Sequence, residues 1–230
     1  VSIAFDWEDT ALIPDWMVIT SSNDKILVAG RYAVSSELAG RTLVWLIDPE
    51  TGRVDRSLLP GEFGDPTRAR NWKQHGLEAT WFGDRWVLAA GDTTAVSVDG
   101  LTWATNRDED GLASGDRGIV SLTAGSDGLM ATSCEWAHRS WFSKDGLEWT
   151  EAPAVPAGHY GAYSDTLGFV VAGERVFTSA DGRAWEWTVG PQLDHAIIDT
   201  AASGNNVFIL TKTHTIAAIP YVMTLDQDGS

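Results

Sequence analysis

The sequence predicts an all-β fold, a single β-propeller of about five four-stranded blades. Three observations carry this reading. A unit of about 40 residues repeats along most of the chain. The three best-aligned units open with two apolar strands joined by a Gly-containing turn. Three of the units then carry a Ser-x-Asp-Gly-x-x-Trp segment.

The best-aligned segments are His75 to Trp103, Arg117 to Trp149 and His159 to Trp185. Their turns read Ser97-Val98-Asp99-Gly100-Leu101-Thr102-Trp103, Ser143-Lys144-Asp145-Gly146-Leu147-Glu148-Trp149 and Ser179-Ala180-Asp181-Gly182-Arg183-Ala184-Trp185. Two weaker copies flank them. Asp15 to Arg31 matches the first two strands, with Asp48 to Gly52 as its turn. His195 to Lys212 matches at the far end, without an aspartate turn. Along the second strands Gly30, Gly91, Ser133, Gly173 and Thr211 fall in register, spaced by 61, 42, 40 and 38 residues. Four strands per period suit a propeller. A solenoid is disfavoured, because the strands meander as hairpins and no helix-period segment occurs.

One domain is expected over 1–230, with blades near 13–60, 74–107, 116–153, 158–190 and 194–226. Residues 1–10 alternate apolar Val1, Ile3, Phe5 and Trp7 with small or charged residues, the pattern of a half-buried strand. This strand is expected to close the ring by pairing with the last blade, leaving residues 226–230 as a frayed tail.

The turn residues have a local physical role. Asp and Ser side chains bond nearby backbone groups, and Gly permits a positive φ. The Trp is expected to insert between blades, where no hydrogen-bonded sheet continues. Asp99, Asp145 and Asp181 are therefore read as structural rather than catalytic.

These turns resemble the Asp-box, or BNR-like, repeat of sialidases, sortilin-type receptors, photosystem II assembly factor propellers and bacterial surface proteins. The usual box has one more residue between Asp and Trp, so the form here is shortened. The resemblance spans roughly 75–190 and implies a fold rather than an activity. Sialidase activity is not supported: no Arg-Ile-Pro segment lies near the start and no Tyr/Glu nucleophile pair can be placed.

Composition narrows the partners. A net charge of −16 excludes nucleic acid and an anionic membrane surface, for want of a Lys/Arg face. No apolar run reaches membrane-spanning length, so no insertion is expected. Cys134 is the single cysteine and forbids an intrachain disulfide. No charged-then-apolar leader precedes the first strand, which fits a mature form. A secreted or cell-surface location is expected, with the cytoplasm as the alternative. The twelve Trp residues suit glycan binding, although the repeat itself accounts for at least three.

The Asp-Gly turns mark one face as plain. The irregular segments 31–40, 58–74, 106–116 and 134–140 fall on the other face, the usual place for binding. All five histidines map there. His75, His159 and His195 open innermost strands, Arg117 holds the matching place between them, and Trp16 lies close to it in the first blade. His138 and His214 follow second strands. Arg31, Asp92, Trp136 and Glu174 come from the same loops, with Tyr160 from a connection between blades. Glu135, Arg175, Lys212 and Trp72 lie nearby.

Together they predict a mixed polar and aromatic pocket at a channel mouth, recognising a glycan or small organic ligand. The alternative is an enzyme of glycosidase, lyase or cyclase type with a His/Arg/carboxylate pocket there. A third reading is a protein-docking module. Three imidazoles can hold Zn²⁺, but no His-x-His or His-x₃-His pair supports it, so no metal or cofactor is expected.

Overall fold

The computed structural model describes residues 14–32, 41–61, 63, 77–107, 119–133, 139–152, 158–173, 175–187, 196–212 and 220–225. The expected closing strand at 1–10 and the tail at 226–230 lie outside them. The described elements are all β-strands, arranged as five antiparallel meanders. They group into two compact units, Val1–Ile119 and Val120–Ser230.

The first unit holds two four-stranded sheets. One comprises β1 (Pro14–Ser21), β2 (Ile26–Tyr32), β3 (Thr42–Ile47) and β4 (Val54–Leu58). The other comprises β5 (Leu77–Phe82), β6 (Arg85–Ala90), β7 (Thr93–Ser97) and β8 (Ala104–Arg107). Innermost strands β1 and β5 lie against each other.

The second unit holds three sheets. The first comprises β9 (Ile119–Ala124, starting at the unit boundary), β10 (Leu129–Ser133), β11 (Ser140–Ser143) and β12 (Thr150–Ala152). The next comprises β13 (Gly158–Ser164), β14 (Gly168–Gly173), β15 (Val176–Ser179) and β16 (Glu186–Trp187). The last comprises β17 (Ala196–Ser203), β18 (Asn206–Lys212) and β19 (Pro220–Leu225), three strands among the described residues. Here β13 lies against β17.

Strand order explains the sequence pattern. Second strands are sandwiched on both faces, so they read as continuous apolar runs. Trp86 to Ala90 of β6, Leu129 to Ser133 of β10 and all of β14 are buried. Fourth strands form the outer edge and are polar, as in Val54-Asp55-Arg56-Ser57-Leu58, which suits an edge that must not template further pairing. In the first unit Leu27, Ala29, Val44 and Leu46 of one sheet pack against Trp86, Leu88, Ala90 and Ala95 of the next. Each fully buried Leu there contributes about 2 kcal/mol of hydrophobic stabilisation.

The third-to-fourth-strand turns share one hydrogen-bond pattern. Asp99 Oδ1 accepts from the backbone N–H of Leu101 and Thr102, at 2.8 and 2.7 Å. Asp145 does the same with Leu147 and Glu148, and Asp181 with Arg183 and Ala184. The Ser Oγ donates to the Asp, and in two turns it accepts from the Gly N–H at 2.8 Å. The first sheet keeps the aspartate alone. Asp48 Oδ1 accepts from Glu50 and Thr51, while its Oδ2 takes Lys25 Nζ at 2.6 Å in place of a serine.

These bonds favour the ionised carboxylate. Thr102 and Leu101 hold Asp99 at about 2, Ala184 and Arg183 lower Asp181, and Lys25 followed by Thr51 lowers Asp48. The carboxylates are occupied in closing hairpins, consistent with a structural role.

Candidate functional site

Each meander has two ends. The first-to-second and third-to-fourth hairpins occupy one. The second-to-third connections and the links to the next sheet occupy the other. The second-to-third connections differ from sheet to sheet: 33–41, 91–92, 134–139, 174–175 and 213–219.

The described parts of this end are closed locally. Gly91, with φ of 62°, permits the two-residue turn before β7, and the neighbouring Asp92 Oδ1 accepts the Thr93 hydroxyl at 3.1 Å. Ser133 N–H donates to Arg139 O at 3.0 Å, and Gly173 N–H donates to Arg175 O at 2.9 Å. Arg139 forks onto both oxygens of Glu151, at 2.9 and 2.7 Å, and its guanidinium lies 5.4 Å from the Trp141 ring centroid. That pairing lowers the Glu151 carboxyl below its ordinary range. Ser133 Oγ and Trp141 Nε1 are buried without a hydrogen-bond partner among the described residues. Arg139 was not singled out from sequence, since its partner twelve residues away is met only across β11 and β12.

Of the expected site residues, His75, Arg117, Trp136, His138, Glu174, His195 and His214 lie outside the described residues, as do Trp72 and Glu135. Asp92 sits half-buried in its turn. Tyr160 is half-buried on β13, opposite Ala172 of β14. The structure brings Trp16 and Arg31 together as direct cross-strand partners of β1 and β2. Lys212 stands opposite Ala196 on β17 and Pro220 on β19. Arg175 is exposed just before β15.

Innermost strands carry a further feature at this end. The pairing register slips by one residue at Asp15 in β1, at His159 in β13 and at Ile198 in β17. Each slip is a β-bulge, a device that re-aims side chains and that recurs beside binding sites. His159 is itself a bulged residue. It follows Gly158, the partner of Gly173.

The comparisons with known proteins speak to the fold. No protein-family model matches the chain. No curated protein matches it in sequence. Solved structures do match in shape. The WD40 domain of Neurospora crassa Pan2 aligns with a TM-score of 0.60 at 12% identity, over 97% of this chain and 65% of that one. YCF48 bound to a D1 peptide aligns at 0.57 and 12% identity, over 94% and 66%. The GH93 α-L-arabinofuranosidase of Fusarium graminearum, in complex with arabinobiose, aligns at 0.54 and 12% identity, over 88% and 72%. The chain thus spans slightly less than two thirds of the Pan2 and YCF48 chains. At such identity the likeness shows fold alone. With the antiparallel four-stranded sheets, it makes this chain an all-β protein of the β-propeller type.

Proposed function

We propose that the chain is a ligand-binding or interaction propeller, a single domain whose three Ser-x-Asp-Gly-x-x-Trp turns are a shortened Asp-box. Its binding end is the one bearing the second-to-third-strand connections, and its ligand is a glycan or small organic molecule. The reading also places it at the cell surface or outside the cell.

The observation that carries this reading is the contrast between the two ends. The hairpin end repeats one hydrogen-bond pattern in four sheets. The other end has unlike connections and the three bulges, which is where a repeat scaffold departs from its own rule. Propellers similar in shape are seen with a D1 peptide and with arabinobiose, so the scaffold accommodates both kinds of partner.

The test is a glycan and metabolite panel presented to the immobilised protein, followed by Tyr160→Ala and His159→Ala variants. Saturable binding that both variants weaken at least about tenfold, or about 1.4 kcal/mol, supports the reading. Binding that neither variant changes removes this end as the site. Recovery of a chemically altered ligand would instead make the protein an enzyme.

A further inference from the structure

The hairpin end also holds a cavity, and it does not depend on the reading above. In the second unit a cavity of 170 Å³ opens between the β9–β12 and β13–β16 sheets. Its floor is aromatic. Phe142 and Phe169 are buried, with ring centroids 6.4 Å apart and planes at 81°. Glycines let these rings reach the turns. A Cβ at Gly125 would stand 2.4 Å from Phe169 Cζ, and one at Gly128 would stand 2.2 Å from Phe142 Cζ.

The rim is charged. Lys144 and Arg183 both line the cavity, and among the described residues neither pairs with a carboxylate. That is unusual for a chain with twice as many acidic residues as basic ones, 32 against 16. Arg183 lies over the Phe142 ring at 4.9 Å, which fixes the guanidinium face and leaves its edge N–H groups to a ligand. Asp181 is also in the lining, but its Oδ1 is taken by the backbone of Arg183 and Ala184 and by the Ser179 hydroxyl. Asp127 and Ser126 complete the rim.

One more group at this junction lacks a partner. Trp185 packs on the Phe142–Phe169 cluster, and its buried indole N–H has no hydrogen-bond partner among the described residues. Trp103, at the same turn position in the first unit, donates its N–H to Ser57. Ser57 stands opposite Val44, two residues before the Leu46 that lies under Gly100; the matching residue here is Ala152, opposite Ser140 and two before Phe142, and it has no hydroxyl to accept the bond.

We propose that this cavity binds a small carboxylate carried on an aromatic or branched apolar group, with the apolar part on Phe142 and Phe169 and the carboxylate on Arg183 and Lys144. The volume sets the size. It is below the ~300 Å³ of a drug-sized pocket and suits one ring or one branched side chain. Two cations that meet no carboxylate among the described residues, one of them oriented by an aromatic ring, select the anion.

The test is titration of phenylacetate into protein labelled at the tryptophan indole nitrogens, with the Trp185 signal assigned through Trp185→Phe. A saturable shift of that signal at roughly millimolar ligand is expected. Lys144→Gln and Arg183→Gln should each weaken it about fivefold. Both side chains are exposed, so both variants should fold. Salt should weaken phenylacetate binding to the unaltered protein and leave benzyl alcohol unaffected. No saturable shift would overturn the proposal. So would phenethylamine binding as tightly as phenylacetate, which would make Asp127 the selecting group, or unchanged binding in the double variant.

Discussion

The two described sheet junctions that carry an Asp-Gly turn on one side solve the same packing problem differently. In the first unit the polar atoms of the junction bond one another. Gly100 sits over Leu46 and Trp86, and Trp103 N–H donates to Ser57, whose hydroxyl donates to Gly100 O. In the second unit Gly182 sits over Phe142 and Phe169 at the matching place. There the tryptophan has no acceptor among the described residues and a cavity remains. One serine on an outer strand decides whether the polar atoms of such a junction are satisfied internally or left for something else. The backbone pattern of the turn is unchanged in either case.

The largest effect should come from the glycines that let the phenylalanines in. Gly128→Ala would place a Cβ 2.2 Å from Phe142 and 2.7 Å from Ser143 O, a backbone atom that cannot yield. A loss of about 3 kcal/mol is expected in urea unfolding. Gly83→Ala in the first unit meets nothing within 4 Å and carries only the strain of φ at 62°, about 1 kcal/mol. Equal losses at the two sites would end the distinction drawn between the junctions.

Ser57→Ala should cost about 1–2 kcal/mol, because it strands the Trp103 indole N–H and the Gly100 carbonyl. Trp185→Phe should be milder with respect to its N–H, since that donor has no partner among the described residues. The pair of thermal unfolding measurements sharpens the contrast directly, and a larger loss at Trp185 would indicate an acceptor there.

Removing one turn aspartate should be milder still. Asp99→Ala loses two backbone N–H acceptor contacts at an exposed hairpin, for about 1 kcal/mol.

The smallest effect is a pH dependence. The Asp99 carboxyl is held at about 2 by Thr102 and Leu101, below its unfolded value of about 3.9. A depressed carboxyl stabilises the folded state above the unfolded pKa, and that contribution is lost as pH falls through the folded one. Melting temperature should therefore decline between about pH 4 and about pH 2, and Asp99→Asn should flatten that decline. Asp181 and Asp48 shift the same way, so the residual slope in the variant belongs to them.

Much of the fold was legible in the chain because the turn residues act locally. Asp, Ser and Gly within four positions bond one another, so their chemistry is visible without tertiary information. Asp48 shows which part of that motif is indispensable. It lacks the serine, the glycine and the tryptophan at their usual places, yet it caps the same two backbone donors. The apolar second strands were equally legible, since burial on both faces demands an apolar run. The hairpin-end cavity was not. Phe142 and Phe169 each read as ordinary core residues, and only packing reveals that they leave space between Lys144 and Arg183. Nor were the bulges, because a slip in pairing is decided jointly with the partner strand. The candidate residues Asp92 and Tyr160 were read from position in the repeat, and position alone does not tell what a side chain bonds.

Those bulges change how the innermost strands should be numbered. A strand alternates its side chains between two faces, and an extra residue acts as a phase shift in that alternation. The odd–even count therefore breaks at Asp15, His159 and Ile198, three points near the same end of their strands. Any scan of β1, β13 or β17 has to be read in two frames, one before the break and one after. Deleting a single residue there would rejoin the frames, whereas substituting it would not. For these strands chain length, as much as residue identity, is a means of redirecting what the end of the sheet presents.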